Sequence, residues 1–332
     1  MNQEGLLPAS TNPPPLTIKV LYIAGSGRSG STVLDRILGQ FDGFFAAGEL
    51  CNLFSRGLVA KRRCGCGLPI PDCPTWAGIL KEAFDGPAGV DAKRLAAHSA
   101  RQLRPRKLPS VAAARWSGRP PGTPEHEEIL AALYRAVWRQ TGCRVIVDSS
   151  KSPVYATLLA AIPGIQVHVV HLVRDPRATA FSFLRKKQLP DFGDDRVMIT
   201  QAPLVSARRW ALWQVVAELF WRRSGRYLQL RYEDFTRAPR AAVEEILALA
   251  GEQAAADSPF VDDHTVRLGA THSVSGNPNR FGTGDTAVRA DDEWTRRMRR
   301  ADRRKVTAAT WPLLLRYRYP LRSGKPQPPS SP

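Results

Sequence analysis

The segment Gly25-Ser-Gly-Arg-Ser-Gly-Ser-Thr32 constrains the fold more than any other part of this 332-residue sequence. It follows the apolar run Ile18 to Ala24, which reads as a short buried strand. It precedes Val33, Leu34, Ile37 and Leu38, whose spacing puts one helix face against a sheet. A Gly/Ser turn in that context lets successive backbone N–H groups converge with a helix N-terminus on an anion. The bland alternative is an ordinary turn before a helix. Against the nucleotide-hydrolase pattern GxxxxGK[ST], Gly25, Gly30 and Thr32 match, but Ser31 stands at the lysine position and the cation comes earlier, at Arg28. The candidate cradle is therefore Gly25, Ser26, Gly27, Arg28, Ser29, Gly30, Ser31 and Thr32, without the lysine that grips a γ-phosphate.

The strand, turn, helix unit recurs. Arg144 to Asp148 reads as a strand, and Ser152-Pro153 after it supplies a helix cap and a first helical residue. Gln166 to Val173 reads as another strand, with Asp175-Pro176 opening the next helix and Arg185-Lys-Lys187 near its end. Leu212, Val215, Val216 and Leu219 mark a long amphipathic helix, Arg226 to Arg231 a fourth strand, and Val243, Ile246, Leu247 and Ala250 a further helix face. Such alternation predicts an α/β chain with a three-layer fold like that of the P-loop NTPases, a central parallel sheet flanked by helices. A single domain is expected over 17–320, with disordered tails at 1–16 and 321–332 and lid or acceptor insertions near 85–125 and 186–203. Between Arg104 and Glu125 the chain is rich in Pro, Gly and Arg without periodicity, which reads as a surface loop.

A formal charge of +18 favours anionic partners but does not separate nucleic acid from nucleotide or metabolite. The first fifteen residues lack the basic start and apolar run of a signal peptide, and no stretch reaches the roughly 18 apolar residues of a membrane span. A cytoplasmic location and no membrane span are expected. Five cysteines, an odd number, argue against a secreted disulfide framework.

At Arg28-Ser-Gly-Ser-Thr32 the chain resembles the sulfotransferases that use 3'-phosphoadenosine-5'-phosphosulfate (PAPS), closest in motif style to the tyrosylprotein and bacterial group. Their 5'-phosphosulfate loop has a basic residue followed by Ser-Gly-[ST]-[ST]. The resemblance implies PAPS as co-substrate and transfer of its sulfuryl group to an acceptor, expected to be a hydroxyl. It extends through Leu172 to Ser182, Leu230 to Phe235, and His272 to Phe281, then Asp291 and Trp294. A 3'-phosphate needs its own clamp. Family members carry Arg and Ser at the separation of Arg174 and Ser182, a pair suited to it because an arginine fork donates several hydrogen bonds. By the same likeness Tyr232 touches the adenine, or else is a core aromatic, and Arg280 closes on the 3'-phosphate.

For the chemistry the candidates are Glu49, Lys151 and Arg28. Glu49 follows Phe-Phe-Ala-Ala-Gly, where a second strand should end beside the phosphate loop. If desolvated there it should have a raised pKa suited to base catalysis. It resembles the glutamate that serves as base in the tyrosylprotein and related bacterial sulfotransferases, and the alternative is a helix-start glutamate. Lys151, at the tip of another strand, resembles the lysine those enzymes direct at the transferring group. With Arg28 it would neutralise the leaving phosphate, and Ser273 or Ser275 would add a hydrogen bond. In many cytosolic sulfotransferases the base is a histidine, for which His98 and His126 are available without a matching motif. The chemistry demands no metal. Cys51, Cys64, Cys66 and Cys73 nevertheless form an alternative four-thiolate zinc set, against structural thiols or a local disulfide.

Two other readings compete. In a P-loop kinase or NTPase, Asp148 would bind magnesium after an apolar strand, and Ser31 argues against this. A basic nucleic-acid-binding module would use clusters such as Arg296-Arg297 and Arg299-Arg300, which suit a solvated helix equally well. Nucleic acid is not an expected partner. The sequence leaves the acceptor's class and the oligomeric state open.

Overall fold

A computed structural model describes residues 17–86, 89–192, 196–253 and 258–322. The predicted tail at 1–16 and the part of the second tail beyond Arg322 lie outside the described residues. Five strands, β1 (Ile18–Gly25), β2 (Phe44–Gly48), β3 (Val145–Lys151), β4 (Ile165–Val173) and β5 (Tyr227–Arg231), form one parallel sheet in the order β2-β3-β1-β4-β5. In chain order the helices are α1 (Ser31–Leu38), α2 (Pro74–Phe84), α3 (Ala92–Gln102), α4 (Leu108–Ser117), α5 (Pro124–Thr141), α6 (Pro153–Ala160), α7 (Pro176–Leu184), α8 (Pro203–Trp221), α9 (Tyr232–Arg237), α10 (Pro239–Leu249), α11 (Trp294–Arg297) and α12 (Arg300–Arg316).

Successive strand residues face opposite layers, and burial of both faces explains why the strands read as continuous apolar runs. Leu21 and Ile23 of β1, Val145 and Val147 of β3, and Val170 and Leu172 of β4 pack with Leu34, Ile37 and Leu38 of α1 and Val243, Ile246 and Leu247 of α10. On the other face Val20, Tyr22, Ile146, Val167 and Val169 join Trp76, Leu133, Val137, Leu158 and Phe220 from α2, α5, α6 and α8. This is the expected three-layer sandwich. Truncating a residue such as the fully buried Leu21 to Ala would cost about 2–5 kcal/mol.

With β1 central, the chain turns to opposite sides at its end, and the carboxyl edge there is where parallel α/β sheets bind ligands. Register aligns those ends: Ala24 pairs with Lys151, Gly25 with Leu172, Gly48 with Asp148 and Val173 with Arg231. The predicted caps also form, since Ser152 accepts from the Tyr155 N–H and Asp175 from the Arg177 N–H.

Two sequence expectations change, and one further element appears. The stretch from Arg104 is not an irregular loop; a 3-10 turn over Pro105–Lys107 leads into α4. Helix α8 exists, but of the apolar stripe assigned to it only Val216 is buried. Leu212, Val215 and Leu219 are 39%, 48% and 57% exposed, while Trp210, Trp213, Phe220 and Trp221 face inward. The helix is apolar on two sides, and the side with the larger aromatic area takes the core. A small antiparallel hairpin, β6 (Thr265–Leu268) with β7 (Gly284–Ala287), carries no strong sequence signature. Among the described residues no helix is long and apolar enough to cross a membrane.

Candidate functional site

The phosphate-loop candidates sit where β1 ends. Gly25 has φ +137°, and a Cβ there would lie 2.5 Å from the Leu172 carbonyl oxygen of β4, so only glycine fits. Gly30 (φ +93°) is the N-cap of α1 and leaves the first turn without a side-chain cap. A Cβ on Gly30 would come within 2.6 Å of the Tyr232 ring, which therefore lies against the loop. The backbone of Gly27 passes close under Phe183. Ser26, Ser29 and Ser31 are buried, and the Ser29 hydroxyl has no hydrogen-bond partner among the described residues. Thr32 accepts from the Asn277 N–H at 3.2 Å, which ties the loop containing Arg280 to the start of α1.

Arg174, at the end of β4, reaches this loop directly. Its Nη1 donates to the Arg28 carbonyl at 3.0 Å, its Nη2 donates to the Asp291 carbonyl at 3.0 Å, and its guanidinium lies 4.4 Å from the Tyr232 ring centroid. Arg174 Nε, with the Thr179 hydroxyl of α7, is buried without a partner among the described residues. Ser182 is also buried on α7. The Arg28 side chain turns toward the segment after α7, stacking 5.2 Å from Phe183 and donating to Met198 Sδ at 2.9 Å. Positive charge is concentrated here: burial, then Arg185 and Arg28, hold Lys187 below the ordinary lysine range, and burial, then Arg185, lower Arg28.

Glu49 and Lys151 meet across the ends of β2 and β3. Lys151 Nζ donates to Glu49 Oε1 at 2.6 Å and to the Ser149 carbonyl at 2.8 Å. Gly48 has φ +74°, and a Cβ there would clash with Val274, because the 273–275 strap runs along the end of β2. That strap holds Glu49 through its own N–H, which donates to the Val274 carbonyl at 2.7 Å. After a 3-10 turn, a π-helical segment over Leu53–Val59 folds back on the carboxylate: Asn52 donates to Glu49 Oε2 at 2.6 Å and Arg56 at 3.3 Å. The expected raised pKa is overturned. Burial alone would push the Glu49 carboxyl up, but Lys151 and Arg56, with the hydrogen bonds from Lys151 and Asn52, outweigh it and hold the group at about 2.

The network runs on from there. Ser275 accepts from Arg56 at 3.0 Å and Arg62 at 3.4 Å, whereas Ser273 bonds Thr271. Arg62 pairs with Asp191 at 2.8 Å, and Arg280 pairs with the same carboxylate and donates to the Arg63 carbonyl. Arg280 thus faces Asp191, and its Nε and Nη1 are buried without partners among the described residues. Among the described residues six non-glycine residues have positive φ, and three of them, Arg28, Lys151 and Ser275, lie in this site. Such strain persists only where surrounding contacts hold it, often at functional sites. His98 and His126 stack on one another from α3 and α5, with His98 paired to Glu125 rather than to any residue of the Glu49 network.

A family model described as the sulfotransferase family matches residues 21–256, which include the phosphate loop, Glu49, Lys151, Arg174 and Tyr232. The chain belongs to the sulfotransferase family. Sulfuryl transfer is that family's chemistry. The fold is similar to the sulfotransferase domain of the Synechococcus PCC 7002 olefin synthase, at 19% identity and a TM-score of 0.54 over 94% of this chain and 99% of that domain. It is also similar to the sulfotransferase domain of the curacin biosynthetic pathway, at 18% identity and a TM-score of 0.51 over 92% of this chain and 100% of that one. No curated protein matches the sequence.

For this sulfotransferase-family chain the kinase reading fails on Asp148 as well as on Ser31. Asp148 is fully buried, its carboxylate taken by the Tyr134 hydroxyl and the Ser150 N–H. Arg296 and Arg297 are solvated and paired with Asp292 and Glu293 of their own segment. Of the four proposed zinc thiols, Cys51 stands apart, its N–H bonded to Ser150 Oγ at 3.0 Å. Sequence reasoning missed Asn52, Arg56, Arg62 and Asp191. For the first two a signal existed, since positions 49, 52 and 56 share one side of a helical segment.

Proposed function

We propose that the chain moves the sulfuryl group of PAPS to an acceptor hydroxyl by in-line displacement. The observation that supports this reading is the 3.0 Å hydrogen bond from Arg174 to the Arg28 carbonyl, which sets the arginine of one predicted phosphate site against the loop of the other. The Ser29 hydroxyl, Arg174 Nε and Thr179 hydroxyl, buried and without a partner among the described residues, supply donors suited to the phosphate oxygens of such a nucleotide.

In this reading the Gly25–Thr32 backbone cradles the 5' end, Arg174 and Ser182 clamp the 3'-phosphate, and Tyr232 lies beside the adenine. Arg280 joins that clamp by giving up Asp191. The donor supplies the sulfur–oxygen bond that breaks, and the acceptor oxygen forms the new one. Glu49 takes the acceptor's proton, while Lys151 and Arg28 face the phosphate oxygen that gains charge. The Lys151–Glu49 pair gives this a natural order. Once Lys151 turns to the leaving oxygen, Glu49 loses its strongest counter-charge, burial raises its pKa, and a weak base becomes a useful one. No step calls on a metal.

The test is an acceptor screen with labelled PAPS across carbohydrate, lipid, phenol and peptide hydroxyls, read by mass. Sulfated product with release of adenosine 3',5'-bisphosphate is expected. Magnesium-dependent ATP turnover with no PAPS consumption would overturn the proposal.

A further inference from the structure

The cysteines outside the crevice form a second site. Cys64, Cys66, Cys73 and His272 place one Sγ or Nδ1 atom each within 4.8 Å of all the others. Cys73 Sγ is 3.3 Å and Cys64 Sγ 3.7 Å from His272 Nδ1, and the Cys66 and Cys73 sulfurs are 3.7 Å apart. A tetrahedral zinc with Zn–S of about 2.3 Å and Zn–N of about 2.0–2.1 Å needs sulfurs about 3.8 Å apart and sulfur to nitrogen about 3.5 Å. The observed spacings match both. They are far beyond the roughly 2.05 Å of a disulfide, and all five cysteines are free.

The surroundings are built for such a site. Cys64 and Cys66 flank a tight knuckle: the Cys64 N–H donates to the Leu68 carbonyl at 2.7 Å and the Gly67 N–H to the Cys64 carbonyl at 2.9 Å. Gly65 must be glycine, since a Cβ there would lie 2.6 Å from the Thr271 carbonyl oxygen. Cys73 is the N-cap of α2, at the end where the helix dipole favours negative charge. The Trp76 indole donates to the His272 carbonyl at 2.7 Å, orienting the fourth donor. Cys64 and Cys73 are fully buried.

We infer that Cys64, Cys66, Cys73 and His272 bind one structural zinc ion, with His272 in the place the sequence pattern offers to Cys51. Three thiolates and an imidazole in a tetrahedron select zinc over hard cations, and four protein donors leave no open position for substrate. The ion staples the 64–70 knuckle and the start of α2 to the segment that continues into Ser273 and Ser275. It therefore braces the strap along β2 without taking part in transfer, and it does not depend on the identity of the sulfuryl donor.

The test is metal analysis of the full chain grown with zinc and purified without chelator. About one zinc per chain is expected, retained in Cys51→Ser and reduced at least about tenfold in His272→Ala and Cys73→Ala. Because those variants can fail to fold, the wild-type protein is also exchanged with Co²⁺, which should give thiolate-to-cobalt charge-transfer bands and the intense visible bands of a tetrahedral site. Chelation should increase hydrogen exchange in residues 62–76 and 270–275. Wild-type protein that carries no zinc and gives no cobalt–thiolate spectrum overturns the site. Full zinc content with an unchanged cobalt spectrum in a folded His272→Ala protein overturns the ligand assignment.

Discussion

Both sides of the crevice hold buried nitrogens with no partner among the described residues, Arg174 Nε on the phosphate-loop side and Arg280 Nε and Nη1 on the Glu49 side. On the phosphate-loop side the Ser29 and Thr179 hydroxyls have none either, whereas on the Glu49 side the two catalytic candidates, Glu49 and Lys151, are bound to each other. Unsatisfied buried donors cost roughly 1–3 kcal/mol each, a penalty that an arriving anion removes. In the proposed mechanism the first side is shaped in advance for phosphate. The second must exchange partners before it can act, since Lys151 cannot face a leaving oxygen while its ammonium is bound to Glu49 at 2.6 Å. Binding and catalysis should therefore separate by side under mutation.

The largest effect expected is from Glu49→Gln, which should lower the single-turnover rate by about 10²–10⁴-fold while leaving donor affinity within a few-fold. A wild-type rate in this variant would remove Glu49 as the base. Lys151→Ala should lower turnover by roughly 10²–10³-fold. It should also move the acid limb of the pH–rate profile upward, because Glu49 loses the neighbour that holds it at about 2. An unmoved limb would mean that the pair is not coupled in the working enzyme. On the other side, Arg174→Ala should weaken adenosine 3',5'-bisphosphate binding about 10–100-fold, the worth of a charge-assisted hydrogen bond, and Ser182→Ala a few-fold. Wild-type affinity in both, by calorimetry, would detach these residues from the nucleotide.

The smallest effect concerns Asp35 of α1, beneath the seam between the two sides. Burial, then the neighbouring Asp148, pushes its carboxyl up to about 8. An unfolded aspartate loses its proton near pH 4, so this group's contribution to stability is complete below that pH and is lost as pH rises through about 8. Asp35→Asn removes that dependence. Its melting temperature should fall less than the wild type's between about pH 6 and pH 8; parallel curves would show that Asp35 is ionised in the fold.

What the sequence discloses follows from how local the physics is. The five strands, the caps at Ser152 and Asp175 and the phosphate loop are contiguous in the chain, and each carries its own pattern. The ion network around Glu49 draws on Asn52, Arg56, Lys151 and Ser275 and continues to Arg62, Asp191 and Arg280, so no window of sequence contains it. That is why burial alone gave the wrong direction for the Glu49 pKa. Between Arg104 and Glu125, prolines and glycine read as loop are helix punctuation, with Pro105 opening the 3-10 turn, Pro109 second in α4 and Gly118 as its left-handed C-cap. The cysteine cluster was half legible. Spacing brought out three thiols, but the fourth donor, His272, lies some two hundred residues on.

The central claim, that one crevice grips both ends of a doubly phosphorylated adenosine, is tested most directly by calorimetric titration with adenosine 3',5'-bisphosphate, adenosine 5'-monophosphate and ATP, each with and without magnesium. The bisphosphate should bind at least about tenfold more tightly than the monophosphate, with no dependence on magnesium. Equal affinity for bisphosphate and monophosphate, or tighter binding of magnesium ATP, would contradict it.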